Sequence, residues 1–439
     1  MASTPPRVAL DFLGCKVNQA EIETLAYSFR QAGYDVTSPE DSPDVYILNS
    51  CTVTHVADRK TRLLIHQMAQ RNPGALVVVT GCFPSVDPGA VQAIDGVDLI
   101  VPNAGKVHLV EIVQQRYPIS ASVEPTTMGA EHHVLHRTRA MLKVQDGCES
   151  FCTYCIVPAA RGGVSSLPVA EVVEQVQALV TRGYQEVVLT GVALGSYGKD
   201  WNEGAAANAL ATLLQSILVK TDLRRLRLSS IEPENLDPAM LELWSDERLC
   251  RHLHMPLQSG CDATLKRMGR RYRVSDYAAL IQRARTIAPD VAVTTDVIVG
   301  FPGETEEEFA QSCAFAQTIG FARMHVFRFS ARRGTPATRL PRRVQEPVKK
   351  ERAARMAELS RSTRLAFLRS FIGQRTDVLW EEASGGSPSD GEEERWWTGL
   401  TSNYIRVYAR SHAGLRNTIT PVTMLGEYAD GLEGRIAPE

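Results

Sequence analysis

Short apolar runs that alternate with helical stretches set the strongest limit on how this 439-residue chain folds. In the first part of the chain, helical patterns over 19–33 and 55–71 separate the apolar runs 7–13, 44–49 and 76–80. Apolar strands separated by helices are typical of a parallel sheet that is covered on both faces. We therefore predict an N-terminal parallel α/β domain over residues 1–122.

A second and longer alternation follows a polar linker at residues 120–137. Its six candidate strands are residues 141–145, 186–190, 225–229, 252–255, 292–298 and 323–328. Helical patterns lie between most of them, for example at 169–182, 206–219, 275–288 and 305–318. Six β/α repeats predict a partial (β/α)6 barrel over residues 133–371, with its site at the C-terminal ends of the strands.

The last part of the chain, residues 373–439, changes character. Short β-rich runs such as TDVLWEE and YIRVYAR are separated by Gly, Ser and Pro, a pattern that predicts a small β-barrel or sheet. The stretch SGGSPSDGEEE, residues 384–394, is predicted to be a flexible acidic loop. The fold class is therefore α/β with a small β-rich domain at the C-terminal end.

Charge and hydropathy narrow the classes of function. No run of eighteen apolar residues is present and the N-terminal segment has no signal-peptide pattern, so we expect a cytoplasmic protein without a membrane span. The net charge of −2 hides a basic stretch at 332–370, which holds ten Arg and two Lys against three Glu. Such a run is usually a solvated helix face, but an excess of this size also favours contact with phosphate.

Three of the nine cysteines, Cys148, Cys152 and Cys155, form a C-x3-C-x2-C motif. An odd number of cysteines in a reducing compartment favours metal or redox chemistry over disulfides. Thiolates at this spacing can ligate one iron–sulfur cluster, and three ligands leave one iron of a four-iron cube open to a small molecule. The alternatives are buried thiols or a zinc site, whose fourth ligand would come from His132, His133 or His136.

A second set of cysteines, Cys15, Cys51 and Cys82, is dispersed in sequence, but each follows a predicted strand. The C-terminal ends of parallel strands face one crevice, so these three thiols can meet in space. The alternative is that they are ordinary buried cysteines, which are common.

Three motifs carry a resemblance to a known family. The run RTRAMLKVQDGCESFCTYCIVPAARG, residues 137–162, resembles the cluster loop of radical S-adenosylmethionine (SAM) enzymes, and it is most similar to the methylthiotransferase branch. The run GCKVNQAE, residues 14–21, resembles the subfamily that acts on N6-threonylcarbamoyladenosine next to the anticodon of tRNA. Lys16 and Val17 distinguish it from sister subfamilies, which act on isopentenyladenosine or on a ribosomal protein. The segment GQRTDVLWEE, residues 373–382, resembles the start of a TRAM domain, a small β-barrel that binds tRNA.

The resemblance implies a transferase that adds a methylthio group to C2 of the adenosine at position 37. It implies a radical SAM [4Fe-4S] cluster on the C-x3-C-x2-C motif and an auxiliary [4Fe-4S] cluster on the dispersed set. Two SAM molecules are used per turnover: one yields a 5′-deoxyadenosyl radical that activates C2, and the other methylates a sulfur on the auxiliary cluster. An electron donor and a sulfur source are required, and a monomer is expected. No side chain is assigned as a catalytic acid or base.

The resemblance also assigns binding residues. The SAM-binding residues are Tyr154, Thr190, Gly191, Ser229, Glu232, Gln258, Gly300 and Phe301. The tRNA-binding residues are Arg161, Arg332, Arg333 and Arg406. Half of Trp396, Trp397, Tyr404 and Tyr408 are expected to offer stacking faces to bases. Arg406, Arg410 and Arg416 are expected on one face, with the acidic residues elsewhere. The rival from another class is a zinc-stabilised RNA-binding protein without catalysis.

Overall fold

The computed structural model describes residues 5–119, 138–202, 208–383 and 394–437. The predicted polar linker at 120–137 and almost all of the predicted acidic loop at 384–394 lie outside these ranges, as do His132, His133 and His136.

The N-terminal part is a five-stranded parallel sheet with the strand order β2-β1-β3-β4-β5. Its strands are β1 (Arg7–Phe12), β2 (Asp35–Thr37), β3 (Val45–Ser50), β4 (Leu76–Gly81) and β5 (Leu99–Pro102). Its helices are α1 (Lys16–Gln31), α2 (His55–Arg71), α3 (Cys82–Val86), α4 (Pro88–Gln92) and α5 (Leu109–Gln114). Every residue of the central strands β3 and β4 is buried, which confirms a sheet covered on both faces.

The central part contains six parallel strands that form a partial barrel. They are β6 (Arg139–Asp146), β8 (Glu186–Gly191), β9 (Arg225–Leu228), β10 (His252–His254), β11 (Ala292–Val299) and β12 (Arg323–Arg328). A two-residue strand, β7 (Ser165–Ser166), pairs antiparallel with β6 at one edge. Two isolated parallel bridges, Leu226 with Leu249 and Ser230 with His254, connect β9 to β10 and to the segment just before β10. The curved sheet therefore runs from β6 to β12, as predicted.

Helices cover the outside of this barrel. They are α6 (Val157–Arg161), α7 (Val169–Thr181), α8 (Ala209–Lys220), α9 (Pro238–Glu242), α10 (Asp262–Met268), α11 (Val274–Ile287), α12 (Glu306–Ile319) and α13 (Glu346–Arg369). One apolar core lies between the strands and these helices, except α6, which does not cover the barrel but packs against α3 of the N-terminal part. None of the helices in the described ranges combines the length and apolar character that a membrane span requires.

The C-terminal part is a closed β-barrel with the order β13-β14-β15-β17-β16. Its strands are β13 (Arg375–Ala383), β14 (Arg395–Thr401), β15 (Arg406–Ser411), β16 (Ile419–Tyr428) and β17 (Gly431–Ile436). Trp380 and Trp397 are buried in its core. The predicted small β-barrel is therefore confirmed.

Specific contacts join the three parts. Helix α1 packs against β6, so the N-terminal part covers one side of the partial barrel. On the C-terminal side, Arg225 donates to the Leu400 carbonyl at 2.9 Å, and Arg227 donates to the Ser402 carbonyl at 2.9 Å. Since Arg225 and Arg227 lie in β9 near its N-terminal end, the small barrel closes the N-terminal end of the partial barrel and leaves the C-terminal end for the site.

Candidate active site

The dispersed cysteines meet at the C-terminal edge of the N-terminal sheet. Cys15 precedes α1, Cys51 follows β3 and Cys82 begins α3. The pKa of the Cys51 thiol is raised to about 12, mainly by burial, and the charges of Cys15 and Cys82 contribute to this rise. The Cys15 side chain is accessible to solvent, yet enclosing protein atoms raise the pKa of its thiol. Three sulfurs that act on one another electrostatically form one site.

Backbone geometry brings these cysteines together. Gly14 has a φ of 103°, and a Cβ at this residue would lie 2.7 Å from the Cys51 Cβ and 2.9 Å from its Sγ. Only glycine allows this approach. All nine cysteines are free. A set of three converging free thiols suits a cluster with one open iron.

The C-x3-C-x2-C motif lies on the loop that follows β6. The charges of Cys152 and Cys148 act on Cys155, whose pKa is raised to about 12, chiefly by burial. The backbone N–H of Val157 opposes that shift by stabilising the thiolate. Gly147 has a φ of 73°, and a Cβ there would come within 1.8 Å of the Gly163 carbonyl, so the loop folds back on itself only with glycine at this position.

Arg270 connects this loop to a carboxylate. Its Nη1 donates to the Cys152 Sγ at 3.2 Å, and its Nη2 forms an ion pair with Glu232. Burial opposes the charged form, but Glu232 and neighbouring groups raise the pKa of the Arg270 guanidinium, so it stays charged. Burial also raises the pKa of the Cys152 thiol, and Arg270 counteracts this shift. The sequence analysis missed Arg270, because the pattern GRRY carries no spacing that marks it.

The residues predicted to bind SAM lie at or near the C-terminal ends of β8, β9, β10 and β11, except Tyr154, which lies in the cysteine loop after β6. The hydroxyls of Thr190 and Ser229 are buried and find no hydrogen-bond partner among the described residues. Buried hydroxyls without a partner are unfavourable unless a ligand satisfies them. Gln258 has a φ of 63°, a strained conformation for a residue with a side chain. Two orphan hydroxyls beside a three-thiol loop fit a polar ligand such as SAM.

The other residues predicted to bind SAM differ in what they contact in the structure. The Phe301 ring is buried and packs edge-on against the Tyr154 ring, with centroids 6.3 Å apart. Gly300 has a φ of 73° and a Cβ on it would lie 2.3 Å from the Lys349 Cγ, so its backbone serves packing against α13. A Cβ on Gly191 would lie 2.7 Å from the Gln145 Oε1, which makes close packing on β6 its visible role.

The segment 155–161 joins the two cysteine sites. The Asn103 Nδ2 donates to the Ala160 carbonyl at 2.8 Å and lies 4.0 Å from the Cys82 Sγ. Arg161 lies six residues after Cys155, and its charge offsets part of the rise that burial causes in the pKa of Cys15. The two groups of thiols therefore lie on either side of one junction between the N-terminal part and the partial barrel.

A buried ion network fixes this junction. The Glu21 carboxylate accepts from Lys106 at 2.6 Å, from Arg161 at 2.8 Å and from Lys143 at 2.9 Å. Burial alone would raise the pKa of Glu21, but Lys106 and Arg161 hold it well below its usual value. Since Lys143 and Arg161 belong to the partial barrel, the network ties that barrel to α1.

Two of the four arginines predicted to contact tRNA are buried in ion pairs. The Arg161 side chain is 2% exposed and binds Glu21 and Asp146. The Arg332 guanidinium binds the Asp58 carboxylate at 2.7 Å and the Thr52 hydroxyl at 2.6 Å, next to Cys51. A phosphate contact from either arginine would require breaking these pairs, so the geometry favours a role in positioning the cysteine loops.

The basic stretch at 332–370 contains α13 and the loop before it, and these two parts differ in whether their arginines form ion pairs. On α13, Arg352 and Arg355 pair with Glu306 at 3.3 and 2.6 Å. In the preceding loop, exposed arginines have no carboxylate partner among the described residues; they are Arg333, Arg339, Arg342 and Arg343. Ala337 of this loop donates to the Thr153 carbonyl of the cysteine loop at 2.8 Å. Unpaired positive charge therefore lies beside the site.

The aromatic residues of the C-terminal barrel divide between its core and its surface. Trp397 is buried. Trp396 is partly exposed and stacks on Tyr428, with centroids 4.8 Å apart at 15°. Tyr408 packs edge-on against the same Tyr428 at 5.1 Å. These three surface rings offer a stacking face.

The expectation that acidic residues lie away from the arginines of this barrel is wrong. Arg406 and Arg410 share a face of β15, as alternate residues of a strand do. Asp430 lies 3.6 Å from Arg406, and Glu394 lies 3.8 Å from Arg410. The turn between β16 and β17 brings Asp430 to this face, a contact that the sequence pattern does not reveal.

Tyr404 does not lie on that surface but at the closed end of the partial barrel. Its ring stacks on His252 at 4.8 Å, and its hydroxyl accepts from Arg139 at 2.9 Å. The Arg227 guanidinium lies 4.5 Å from the ring centroid, and the Lys16 Nζ lies 5.7 Å from it. Lys16 follows Cys15, so its side chain extends from the site of Cys15, Cys51 and Cys82 into the interior of the partial barrel.

His254, His325 and Asp296 line the same interior further along the strands. The His254 Nδ1 lies 2.9 Å from the Thr294 Oγ1, and its Nε2 lies 3.5 Å from the Asp296 carboxylate. The rings of His254 and His325 are 5.9 Å apart. Asp296 and His325 were not predicted from the sequence, because isolated polar residues within strands carry no motif.

Comparison with known proteins agrees with this geometry. The Radical SAM superfamily model matches residues 142–316, and the model of an uncharacterized protein family, UPF0004, matches residues 7–102. A solved radical SAM methyltransferase, TsrM from Kitasatospora setae, shares the fold with a TM-score of 0.54 and 16% identity, covering 74% of this chain and 75% of its own. Fold and site together define a radical SAM iron–sulfur enzyme.

Relatives narrow the class further. A Bacillus subtilis protein named threonylcarbamoyladenosine tRNA methylthiotransferase MtaB is 37% identical over 95% of this chain and 93% of its own length. A Thermotoga maritima protein of the same name is 38% identical, covering 85% and 86%. A Lawsonia intracellularis protein named tRNA-2-methylthio-N(6)-dimethylallyladenosine synthase is 31% identical over 94% of each chain. The chain therefore belongs to the radical SAM methylthiotransferase family, whose members use SAM and two [4Fe-4S] clusters.

Proposed function

We propose that this protein adds a methylthio group to C2 of N6-threonylcarbamoyladenosine at position 37 of tRNA. The observation that carries the proposal is the meeting of two three-cysteine sites at one junction, bridged by the segment 155–161. One site suits SAM cleavage and the other suits sulfur transfer, and their closeness allows both to act on one base. Relatives named for the threonylcarbamoyl substrate are 37 and 38% identical, above the 31% of the dimethylallyl relative.

Each part of the site has its own task in this proposal. Cys148, Cys152 and Cys155 hold the radical SAM cluster; the other three cysteines, Cys15, Cys51 and Cys82, hold the auxiliary cluster. When bound, these groups and SAM supply the electron, the radical and the sulfur. The Thr190 and Ser229 hydroxyls bind polar atoms of SAM, and Tyr154 with Phe301 forms an apolar wall beside the cluster loop. No acid or base is assigned.

The other parts of the chain bind the tRNA substrate, and each of the three domains has a separate task. We place the boundaries at residues 1–122 for the auxiliary-cluster domain, 133–371 for the radical SAM domain and 373–439 for the tRNA-binding barrel. Arg333 and Arg406 contact the tRNA, together with the stacking face of the small barrel. The protein acts in the cytoplasm as a monomer, and it takes electrons and sulfur from partners outside this chain.

The test is an anaerobic reconstitution followed by analysis of metals and products. The wild type should bind about eight irons with matching sulfide per chain. It should form 5′-deoxyadenosine and convert tRNA that carries threonylcarbamoyladenosine to the 2-methylthio form. Cys148→Ala should abolish both products, whereas Cys51→Ala should keep SAM cleavage and lose the methylthio product, with about half of the iron.

Other results would contradict the proposal in distinguishable ways. Zinc without sulfide would support the RNA-binding alternative. Methylthio transfer to dimethylallyladenosine alone would support the sister activity. Loss of SAM cleavage in Cys51→Ala together with full retention in Cys148→Ala would reverse the assignment of the two clusters.

A further inference from the structure

Lys16 is a cation inside the partial barrel without a counter-charge. Among the described residues, no carboxylate lies within ion-pair distance of its ammonium group. Its Nζ lies 5.7 Å from the centroid of Tyr404, the ring that closes the N-terminal end of the barrel. The charge of Lys16 acts on His252 and His325, which lie on β10 and β12. The ammonium group is therefore inside the barrel and not on the outer surface of α1.

The other cations near Lys16 already have partners. Arg139 pairs with Glu381 at 3.0 Å, and Arg227 pairs with Glu186 at 2.6 Å. The Arg227 pair is completely buried, so Glu186 is committed to it. Charges in protein interiors are normally paired. The region around Lys16 therefore has one positive charge that an incoming anion can neutralise.

The place of Lys16 in the chain puts this charge beside the chemistry. Lys16 directly follows Cys15, a proposed ligand of the auxiliary cluster, and begins α1. A base whose reacting carbon lies at the auxiliary cluster has Lys16 as a neighbour. Lys16 is also one of the two residues by which the GCKVNQAE motif differs from the motifs of the sister subfamilies. The sequence alone gives no physical reason for this difference.

The substrates differ in the charge of the group on N6. The threonylcarbamoyl group ends in a carboxylate, whereas the dimethylallyl group is an uncharged hydrocarbon. A lysine in this position would stabilise the first group and would be left unpaired beside the second, a contrast that gives strong discrimination.

On the basis of the proposed function, we infer that Lys16 is a specificity-determining residue that binds the threonyl carboxylate of the substrate. Arg139 donates to the Tyr404 hydroxyl and Arg227 lies over its ring, so both arginines hold Tyr404 near the Lys16 ammonium group. A backbone phosphate is the other anion in tRNA, but phosphates lie outside the enclosed region that an inserted base and its substituent enter. The exposed arginines of the loop around Arg342 are the better phosphate ligands.

The test measures methylthio formation on three anticodon stem-loop RNAs. One carries threonylcarbamoyladenosine as the free acid, the second carries its methyl ester, and the third carries dimethylallyladenosine. For the wild-type holoenzyme, we expect kcat/KM to be about 10- to 100-fold higher for the free acid than for the ester, the value of a hydrogen bond to a charged group. Lys16→Gln should bring this ratio close to one, and Lys16→Arg should retain most of it.

Lys220→Gln, an exposed lysine at the end of α8, is the matched control and should keep the wild-type ratio. The iron content of Lys16→Gln should match the wild type, which separates lost recognition from a damaged cluster. The wild-type ratio needs no variant, so a misfolded Lys16→Gln protein leaves the inference testable.

Equal wild-type rates on acid and ester would overturn the inference while the proposed function stands. A Lys16→Gln enzyme with the wild-type ratio but weaker binding of every RNA would assign Lys16 to phosphate, and would also overturn it. Wild-type activity on the dimethylallyl RNA alone would instead refute the proposed function.

Discussion

At the scale of single residues, buried ion pairs connect the cysteine loops to the rest of the protein. Arg270 donates to the Cys152 sulfur at 3.2 Å and pairs with Glu232. Hydrogen bonds to cluster sulfurs stabilise the reduced, more negative state and raise the reduction potential. In the proposed arrangement, in which Cys152 is a cluster ligand, Arg270 is a positioning residue that acts on the cluster through this cysteine.

We expect Arg270→Gln to lower the reduction potential of the radical SAM cluster. It should also cost about 3–5 kcal/mol in folding free energy, because the Glu232 carboxylate loses its partner. An EPR-monitored redox titration and a denaturant melt measure the two effects. Arg267→Gln, at the end of α10 three residues before Arg270 and paired with Glu308, is the control and should leave the potential unchanged. An unaltered potential in Arg270→Gln would contradict this role.

Glu21 allows a second test at this scale, through pH. Because Lys106 and Arg161 depress its pKa, its contribution to stability is complete above its unfolded value of 4.5 and declines as the pH falls below that value. Glu21→Gln should therefore cost about 3–5 kcal/mol at neutral pH and clearly less at pH 3. Urea unfolding at both pH values measures this, with the exposed Glu174→Gln as a control expected to resemble the wild type. A cost that does not change with pH would contradict the ion network.

At the scale of elements, the turn between β14 and β15 attaches the small C-terminal barrel to the partial barrel. Tyr404 of this turn stacks on His252, and the adjacent Ser402 accepts from Arg227 and from the Arg251 backbone, both at 2.9 Å. Asn403 donates to the Asp290 carbonyl at 3.3 Å. Three consecutive residues of one turn therefore close the N-terminal end of the partial barrel.

Tyr404→Ala should weaken this closure by about 2–4 kcal/mol, because an aromatic ring is replaced by a cavity. Tyr404→Phe keeps the stacking and should lose only about 1 kcal/mol with the hydrogen bond to Arg139. Thermal unfolding and limited proteolysis between the barrels measure the effect. Tyr428→Ala removes an exposed ring of the same barrel and should leave the junction intact. Equal proteolysis of Tyr404→Ala and wild type would disprove the closing role.

Sequence patterns predicted the elements far better than the contacts between them. The strands around Val45–Ser50 and Leu76–Gly81 and the convergence of Cys15, Cys51 and Cys82 followed from apolar periodicity and the geometry of parallel strands. Arg161 and Arg332 were predicted to contact tRNA because they are basic and lie near motifs. Glu21, which binds Arg161, and Asp58, which binds Arg332, are more than a hundred positions away from these arginines, and no local pattern can show such contacts.

At the scale of the whole molecule, unpaired positive charge is concentrated beside the site. The loop that carries Arg333 and Arg342 contacts the cysteine loop, whereas the arginines of α13 are largely neutralised by glutamates. The net charge of −2 gives no hint of this arrangement. Local placement of charge, and not the total, directs a polyanion to the junction.

The double variant Arg333→Ala/Arg342→Ala should weaken tRNA binding and reduce the slope of log K against log salt concentration by roughly 1 to 2, about 0.9 for each lost phosphate contact. Filter binding over a range of salt concentrations measures this slope. Arg355→Ala, whose guanidinium pairs with Glu306, is the control and should leave the slope unchanged. A slope equal to that of the wild type would move the phosphate contacts elsewhere.

The measurement that tests the central claim most directly is nucleoside mass spectrometry of bulk tRNA from the source organism, with and without this gene. Loss of the gene should remove the 2-methylthio form of threonylcarbamoyladenosine and cause its unmodified precursor to accumulate. Complementation with the wild-type gene should restore the product, and Cys51→Ala should not. If every methylthio nucleoside persists without the gene, tRNA is not the substrate.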